Sequence, residues 1–457
     1  MRVTALIFAK LALLENGWAE NVRLVVEQGR IKGIAAGAEA AAGDVRVDTL
    51  LPALANLHSH SFQRAMAGMT EFRAHGRDSF WTWRDLMYRF VNRITPEQLE
   101  AIAAMVFMEM QEAGYAAVGE FHYVHHQKGG AAYANVAELS NRIFAAASAT
   151  GIGLTHLPVL YTYGGVGQIP LAEGQLRFGN DVDRFLTLAD AAQRGLSHLP
   201  ADARMGLAPH SLRATSPTDL AKLLSAHKGG PIHIHAAEQP KEVKDVEAWL
   251  GARPVEWLLG NARVNQNWCL IHATHMTEEE TIRLAKSGAV AGLCPITEAN
   301  LGDGPFNGPL YLANKGAFGI GSDSNVNISL TEELRTLEYS QRLRDLSRNV
   351  LVMDEGSVGE TIYLGAARGG ALALARDSGS IAVGRLADLV AIDRSAPALC
   401  ALDQNQILDG LAFAAKDSIV TDVWAAGRHN VQNGRHVAHD RVVAGYRKAI
   451  TALLASG

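Results

Sequence analysis

Between Pro52 and about residue 375, short apolar runs that end in polar residues alternate with stretches whose apolar positions recur every three or four residues. The first pattern suits a strand buried on both faces and the second an amphipathic helix, so the repeat reads as β-α units around a parallel sheet. One helical stretch shows the signal: Thr95 can cap, Pro96 suits the first turn, and Leu99, Ile102, Ala103, Val106 and Met110 keep helical spacing up to Gly114. Strands are expected at 51–57, 117–121, 152–161, 205–209, 232–236, 268–273, 289–294 and 317–322. Eight such units predict an α/β fold with a closed (β/α)8 barrel of the TIM type.

The two ends carry a different pattern. Residues 22–26 are a β-branched, apolar run, Gln28-Gly29 reads as a turn, and residues 45–51 alternate before Pro52. Past Gly379, the segments Ser380-Ile381-Ala382-Val383-Gly384 and Ala387-Asp388-Leu389-Val390-Ala391-Ile392-Asp393 read again as strand and turn. Chain ends often lie close together, so residues 1–51 and 380–457 are expected to form one small composite β-sandwich beside a hydrolase barrel of residues 52–379.

Composition narrows the setting. With 457 residues, 48% of them hydrophobic and 19% charged, the chain can bury a large core. A net charge of −5 with cations scattered singly gives no footprint for nucleic acid. The apolar opening residues are interrupted by Lys10, and no small-x-small cleavage site precedes Glu15, so they read as a strand rather than a secretion signal. No run of eighteen uncharged apolar residues exists, which excludes a transmembrane helix. Three widely spaced cysteines, Cys269, Cys294 and Cys400, suggest neither a disulfide framework nor a thiolate zinc site, and fit the cytoplasm.

Potential metal ligands end several of the expected strands: His58 and His60 the first, His235 the fifth, His272 the sixth and Asp323 the eighth. A barrel brings the C-terminal ends of its strands together, and imidazole with carboxylate suits zinc. A His-x-His pair arises about once by chance in a chain this rich in histidine, and His233 with His235 makes a second. The weight therefore rests on the separate strand ends taken together, since polar groups buried there are costly without partners.

These residues lead to a resemblance that covers nearly the whole chain. Leu51-Pro52-Ala53-Leu54-Ala55-Asn56-Leu57-His58-Ser59-His60, His233-Ile234-His235-Ala236-Ala237-Glu238, His272, Gly321-Ser322-Asp323-Ser324-Asn325 and Gly384-Arg385-Leu386-Ala387-Asp388-Leu389-Val390 resemble the amidohydrolase superfamily. The resemblance implies metal ligands at His58, His60, His235 and Asp323, Glu238 as proton shuttle, and His272 beside the attacking water. Asp323 is the other candidate for accepting the water's proton. Binuclear members carry a bridging lysine on the fourth strand, and Met205-Gly206-Leu207-Ala208-Pro209-His210 has none, so one Zn2+ per chain is expected. The same ligands accept Fe2+.

Gln63 and Arg84 follow the first strand, Tyr123 the second, and His210 and Arg213 the fourth. Guanidinium groups pair bidentately with carboxylates, so Arg84 and Arg213 suit a substrate with two acidic groups. Glu120-Phe121-His122-Tyr123-Val124-His125-His126, His210-Ser211-Leu212-Arg213 and the segment from Cys294 to Gly304 are similar to the formimidoylglutamate deiminases of histidine degradation. That similarity implies hydrolysis of N-formimidoyl-L-glutamate to N-formyl-L-glutamate and ammonia, with Gln63, Arg84, Tyr123, His210 and Arg213 holding the glutamyl part. It also implies a homodimer. The alternative is a related deaminase acting on guanine or an adenosine derivative. Phe80-Trp81-Thr82-Trp83-Arg84 reads either as a lid or as a packed loop, and Cys294 as inert packing.

Overall fold

The apolar runs of the middle section become two parallel half-sheets in the computed structural model, which describes residues 4–72, 80–353 and 355–455. In chain order, the N-terminal end holds β1 (Thr4–Leu14), β2 (Gly17–Glu27), β3 (Arg30–Ala35) and β4 (Val45–Pro52). The first half-sheet holds β5 (Leu54–Ser59), β6 (Tyr115–His122), β7 (Gly153–Leu160), β8 (Arg204–Met205) and β9 (Ala208–Pro209). The second holds β10 (Ile232–Ala236), β11 (Trp268–His272), β12 (Val290–Leu293) and β13 (Ala317–Ile320). Four more follow: β14 (Leu389–Ile392), β15 (Val420–Ala425), β16 (Arg428–Gln432) and β17 (Arg435–His436).

The expected closed eight-stranded ladder is not what forms. The half-sheets run β5-β6-β7-β8, with β9 also on β7, and β10-β11-β12-β13. They meet at two seams through isolated parallel bridges: Ser59 with Asp323 at one, Leu207 with Ile232 and Ser211 with His235 at the other. Close backbone approach explains both interruptions. The expected fourth strand splits at Gly206, where a Cβ would lie 2.4 Å from the carbonyl oxygen of Pro231. At the other seam, a Cβ on Gly321 would lie 2.8 Å from both the nitrogen and the oxygen of His58, so only glycine lets the chain pass there.

Helix Pro96–Glu112 follows the sequence signal. Thr95 Oγ1 accepts from the Gln98 amide at 3.2 Å, and Gln98 Oε1 accepts from the Thr95 amide at 2.9 Å, closing a capping box. Leu99, Ile102, Ala103, Val106 and Met110 are buried against the strands. At about 1.5–3 kcal/mol for each large apolar side chain, that face outweighs the roughly 1 kcal/mol of the cap.

Both chain ends share one eight-stranded mixed sheet, in the order β17-β16-β15-β14-β4-β1-β2-β3, in place of the expected two-sheet sandwich. Its faces have separate tasks. Leu389 and Ala391 of β14 join the sheet's own apolar cluster, whereas Val390 and Ile392 face the main core. Residues 380–384 form turns rather than a strand, with Gly384 at φ +92°. The C-terminal end also carries helices Ile407–Phe413 and His439–Ala455, and the latter packs along helix Pro96–Glu112.

A buried ion cluster fastens this sheet to the barrel-like body. Arg376 donates to Asp388 at 2.6 and 2.9 Å and to Asp202 at 2.9 Å, and Arg428 donates to Asp202 at 2.7 and 2.8 Å. Burial opposes the ionised form of Asp202, but the hydrogen bond from Arg428 and the charges of Arg376 and Arg428 outweigh it, and the carboxyl falls to about 2. A depressed carboxyl adds stability above the unfolded value of about 4 and loses it as pH falls toward the folded one. Arg428→Gln is therefore expected to cost about 2 kcal/mol at pH 7 and progressively less between about pH 4 and pH 2. Urea midpoints of variant and parent across that range check this, and a constant difference would disconnect Asp202 from the effect.

Candidate active site

Four side chains meet where the β5–β13 seam opens. His58 lies in β5 and His60 just beyond it, His235 lies in β10, and Asp323 follows β13 by three residues. His58 Nε2 is 3.2 Å from His60 Nε2 and 3.1 Å from His235 Nε2. Asp323 Oδ1 lies 3.4 Å from His58 Nε2 and 3.2 Å from His60 Nε2. Asp323 adopts φ +45° to reach this point, a left-handed conformation that costs a residue with a Cβ about 1 kcal/mol. A polar clamp holds it there: Asn56 donates to Ser322 Oγ at 2.6 Å, Ser322 Oγ to Asn325 Oδ1 at 2.6 Å, and Asn325 to Ser59 Oγ at 3.1 Å.

This donor set fits one divalent ion. His60 Nδ1 pairs with the Phe121 carbonyl at 3.0 Å and His235 Nδ1 with the His210 carbonyl at 3.0 Å. Each Nδ1 therefore carries the hydrogen, and each Nε2 turns a lone pair inward. Burial holds His58 at about 3 and His235 well below the ordinary histidine value, so these rings are neutral. Facing imidazole lone pairs with a carboxylate at one corner, all buried, form a cation cradle.

Beside the cradle, His272 (φ +66°) points Nε2 to within 3.8 Å of Asp323 Oδ2 and 3.9 Å of Glu238 Oε1. Its Nδ1 is held by Glu298 Oε1 at 3.2 Å. Burial disfavours the imidazolium, but the Glu298 hydrogen bond and the charges of Glu238 and Asp323 overcome it and raise His272 to about 10. Glu298 was not among the candidates read from the sequence. Its carboxylate also accepts from the Cys294 amide at 2.9 Å, as an acid in a first helical turn ordinarily does, and this local role hid the distant one. Cys294 is buried, and burial raises its thiol well above the usual value, which disfavours the thiolate.

A cavity of about 690 Å³ opens above the cradle, and Gln63, Arg84, Tyr123, His210 and Arg213 all line it with His60, His235, Glu238 and Asp323. Gln63 donates to Tyr123 Oη at 2.8 Å, His210 Nδ1 pairs with Ser211 Oγ at 2.9 Å, and Arg213 Nη2 donates to Glu238 Oε2 at 2.6 Å. Phe80, Trp81, Trp83 and Arg84 belong to helix Phe80–Val91 rather than a loop, and they form one wall. Arg84 lies 4.6 Å over the Trp81 ring and 5.5 Å over the Tyr88 ring. Tyr161, Lys241 and Glu242 also line the cavity and were not singled out in the sequence.

Known proteins match along the whole length. Residues 49–429 match the amidohydrolase family, and residues 4–48 match the N-terminal domain of formimidoylglutamate deiminase HutF. A formimidoylglutamate deiminase from Pseudomonas aeruginosa is 50% identical over 98% of this chain and 99% of its own. A 5-methylthioadenosine/S-adenosylhomocysteine deaminase from Natronomonas pharaonis is 27% identical over 90% of this chain and 87% of its own. Among solved structures, an amidohydrolase from Brucella melitensis superposes with a TM-score of 0.94 at 48% identity, covering 98% of this chain and all (100%) of its own.

Replacing one inward-facing ring, as in His235→Ala, is expected to reduce bound divalent metal from about one per chain to a small fraction. Elemental analysis of the purified variant checks this, and unchanged metal content would remove His235 from the cradle.

Proposed function

The chain belongs to the amidohydrolase family, and we propose that His58, His60, His235 and Asp323 hold one zinc ion beneath a pocket for N-formimidoyl-L-glutamate. The chain is a hydrolase of a C–N bond, a formimidoylglutamate deiminase of histidine degradation, as the 50% identity over 98% of its length and the HutF N-terminal match support. The reading of the pocket rests on one observation: Arg84 and Arg213 line the same cavity as the four-ligand cradle, as a substrate with two carboxylates requires. A division at about residues 52 and 379 between the hydrolase body and a composite β-domain is carried as part of this proposal. Residence in the cytoplasm and a homodimer are carried with it.

A divalent ion in the cradle supplies a Lewis acid that lowers the pKa of water toward about 7, making the nucleophile available at neutral pH. The remaining work falls to side chains. Addition of water to the amidinium carbon releases a proton, and the nitrogen needs one before it can leave as ammonia, while the new hydroxyl loses its own proton as the formyl C=O forms. Glu238, buried with Oε1 facing His272 beside the cradle, is the group that takes the first and delivers the second. Asp323, already at the cradle, is the other acceptor for the water's proton. His272, fixed through Nδ1 by Glu298, presents Nε2 where charge develops on the tetrahedral carbon's oxygen. Gln63, Tyr123 and His210 orient the glutamyl chain, and Arg84 takes one carboxylate against an aromatic wall that excludes water.

Purified protein is expected to release ammonia from N-formimidoyl-L-glutamate and not from guanine or adenosine derivatives, in an assay run on all three. Turnover of a purine alone would replace this reading with the nucleobase deaminase one. Glu238→Gln is expected to retain its metal while kcat falls by at least about 100-fold, and elemental analysis beside steady-state kinetics measures both. Arg84→Ala is expected to raise KM by about tenfold or more, and an unchanged KM would leave Arg84 outside the binding set.

A further inference from the structure

Arg213 is bonded on one edge and open on the other. Nη2 donates to Glu238 Oε2 at 2.6 Å, with both side chains nearly out of solvent, and Nε lies 3.4 Å from Ser211 Oγ. Nη1 is buried and has no hydrogen-bond partner among the described residues. The guanidinium sits 5.6 Å from the centre of the Phe80 ring, on the cavity wall. Glu238 is in turn fixed at two points: its amide donates to Glu242 Oε2 at 3.0 Å, and its Oε2 is taken by Arg213. What remains free is Oε1, which faces His272 Nε2 at 3.9 Å.

We infer that Arg213 is a positioning residue for Glu238 as well as a carboxylate-binding residue, one edge of its guanidinium serving each task. A guanidinium is a rigid plane of five donors, so a bond on one edge orients the other. Charge-assisted hydrogen bonds are short and directional, and the one at Oε2 leaves Oε1 as the oxygen that faces His272. A substrate carboxylate on Nη1 satisfies the open edge and locks the plane that holds the acid. Without the guanidinium, Glu238 would stand buried beside Glu242 with no cation between them, free to rotate Oε1 away. The identity of the carboxylate rests on the deiminase reading above; the hold on Glu238 does not.

The test is a kinetic cycle on the metal-loaded protein with N-formimidoyl-L-glutamate: parent, Arg213→Ala, Glu238→Gln and the double variant, each checked for metal content. A residue that only binds carboxylate changes KM. A residue that also positions Glu238 lowers kcat, and does so only while Glu238 is present. Arg213→Ala is expected to raise KM and lower kcat by about 10- to 100-fold, and to leave the residual kcat of Glu238→Gln unchanged. Millimolar guanidinium ion is expected to restore part of the kcat of Arg213→Ala and none in the double variant. Should Arg213→Ala fail to fold, Arg213→Lys carries the same test, because an ammonium group cannot serve two edges. An unchanged kcat in the single variant, or losses that multiply in the double one, overturns the inference. Failure of the parent on N-formimidoyl-L-glutamate overturns the substrate reading instead, and the cycle is then run on whichever substrate the parent deaminates.

Discussion

Two backbone hydrogen bonds tie the end of β5 to the residues past β13: His60 N to the Asp323 carbonyl and Asp323 N to the His58 carbonyl, each 2.9 Å. Three of the four cradle residues take part in them. The seam therefore does two tasks with the same atoms, joining the half-sheets and setting ligand spacing. Gly321 makes that approach possible, because any Cβ there would strike His58 backbone, and the Asn56–Ser322–Asn325–Ser59 clamp keeps it closed. The left-handed backbone at Asp323 is held by this over-determined surrounding, as is usual where strain orients functional groups.

Charge is arranged in layers around that seam. The cradle imidazoles lie innermost with Asp323. Glu238 and Glu298 flank His272 from opposite sides, one through Nε2 and one through Nδ1. Outside them come the cations, with Arg213 bonded to Glu238 and Arg84 against aromatic rings. Such an order keeps buried carboxylates paired while leaving donors for an anionic ligand, which a pocket for a flat neutral base would not need.

Far from the cavity, Asp388 shows a motif residue with a purely structural part. It belongs to the Gly384–Val390 segment, and it accepts two hydrogen bonds from Arg376 and one from the Ala426 amide at 2.7 Å. Through Asp202 and Arg428 the same cluster spans the C-terminal sheet and the β7–β8 connection. A polar signature in a sequence thus need not mark chemistry. Glu298 is the reverse case, a first-turn acid whose position on its own helix is unremarkable and whose partner, His272, lies 26 residues away.

Read alone, the sequence determined what is local and periodic. Buried strands, the capped helix Pro96–Glu112, the strand-end histidines and Asp323 all follow from spacing and from the cost of burying polar groups, which act within a few residues. The motifs carried the family and pointed to the four residues that meet in the cradle. Tertiary structure alone decided the rest: the seams where the ladder breaks, the single composite sheet, the helical form of the segment from Phe80, the Glu298–His272 pair and the Arg213–Glu238 bond. Each depends on how closely two backbones or two side chains from distant segments approach. That distance is set by packing across the whole fold, and no local pattern encodes it.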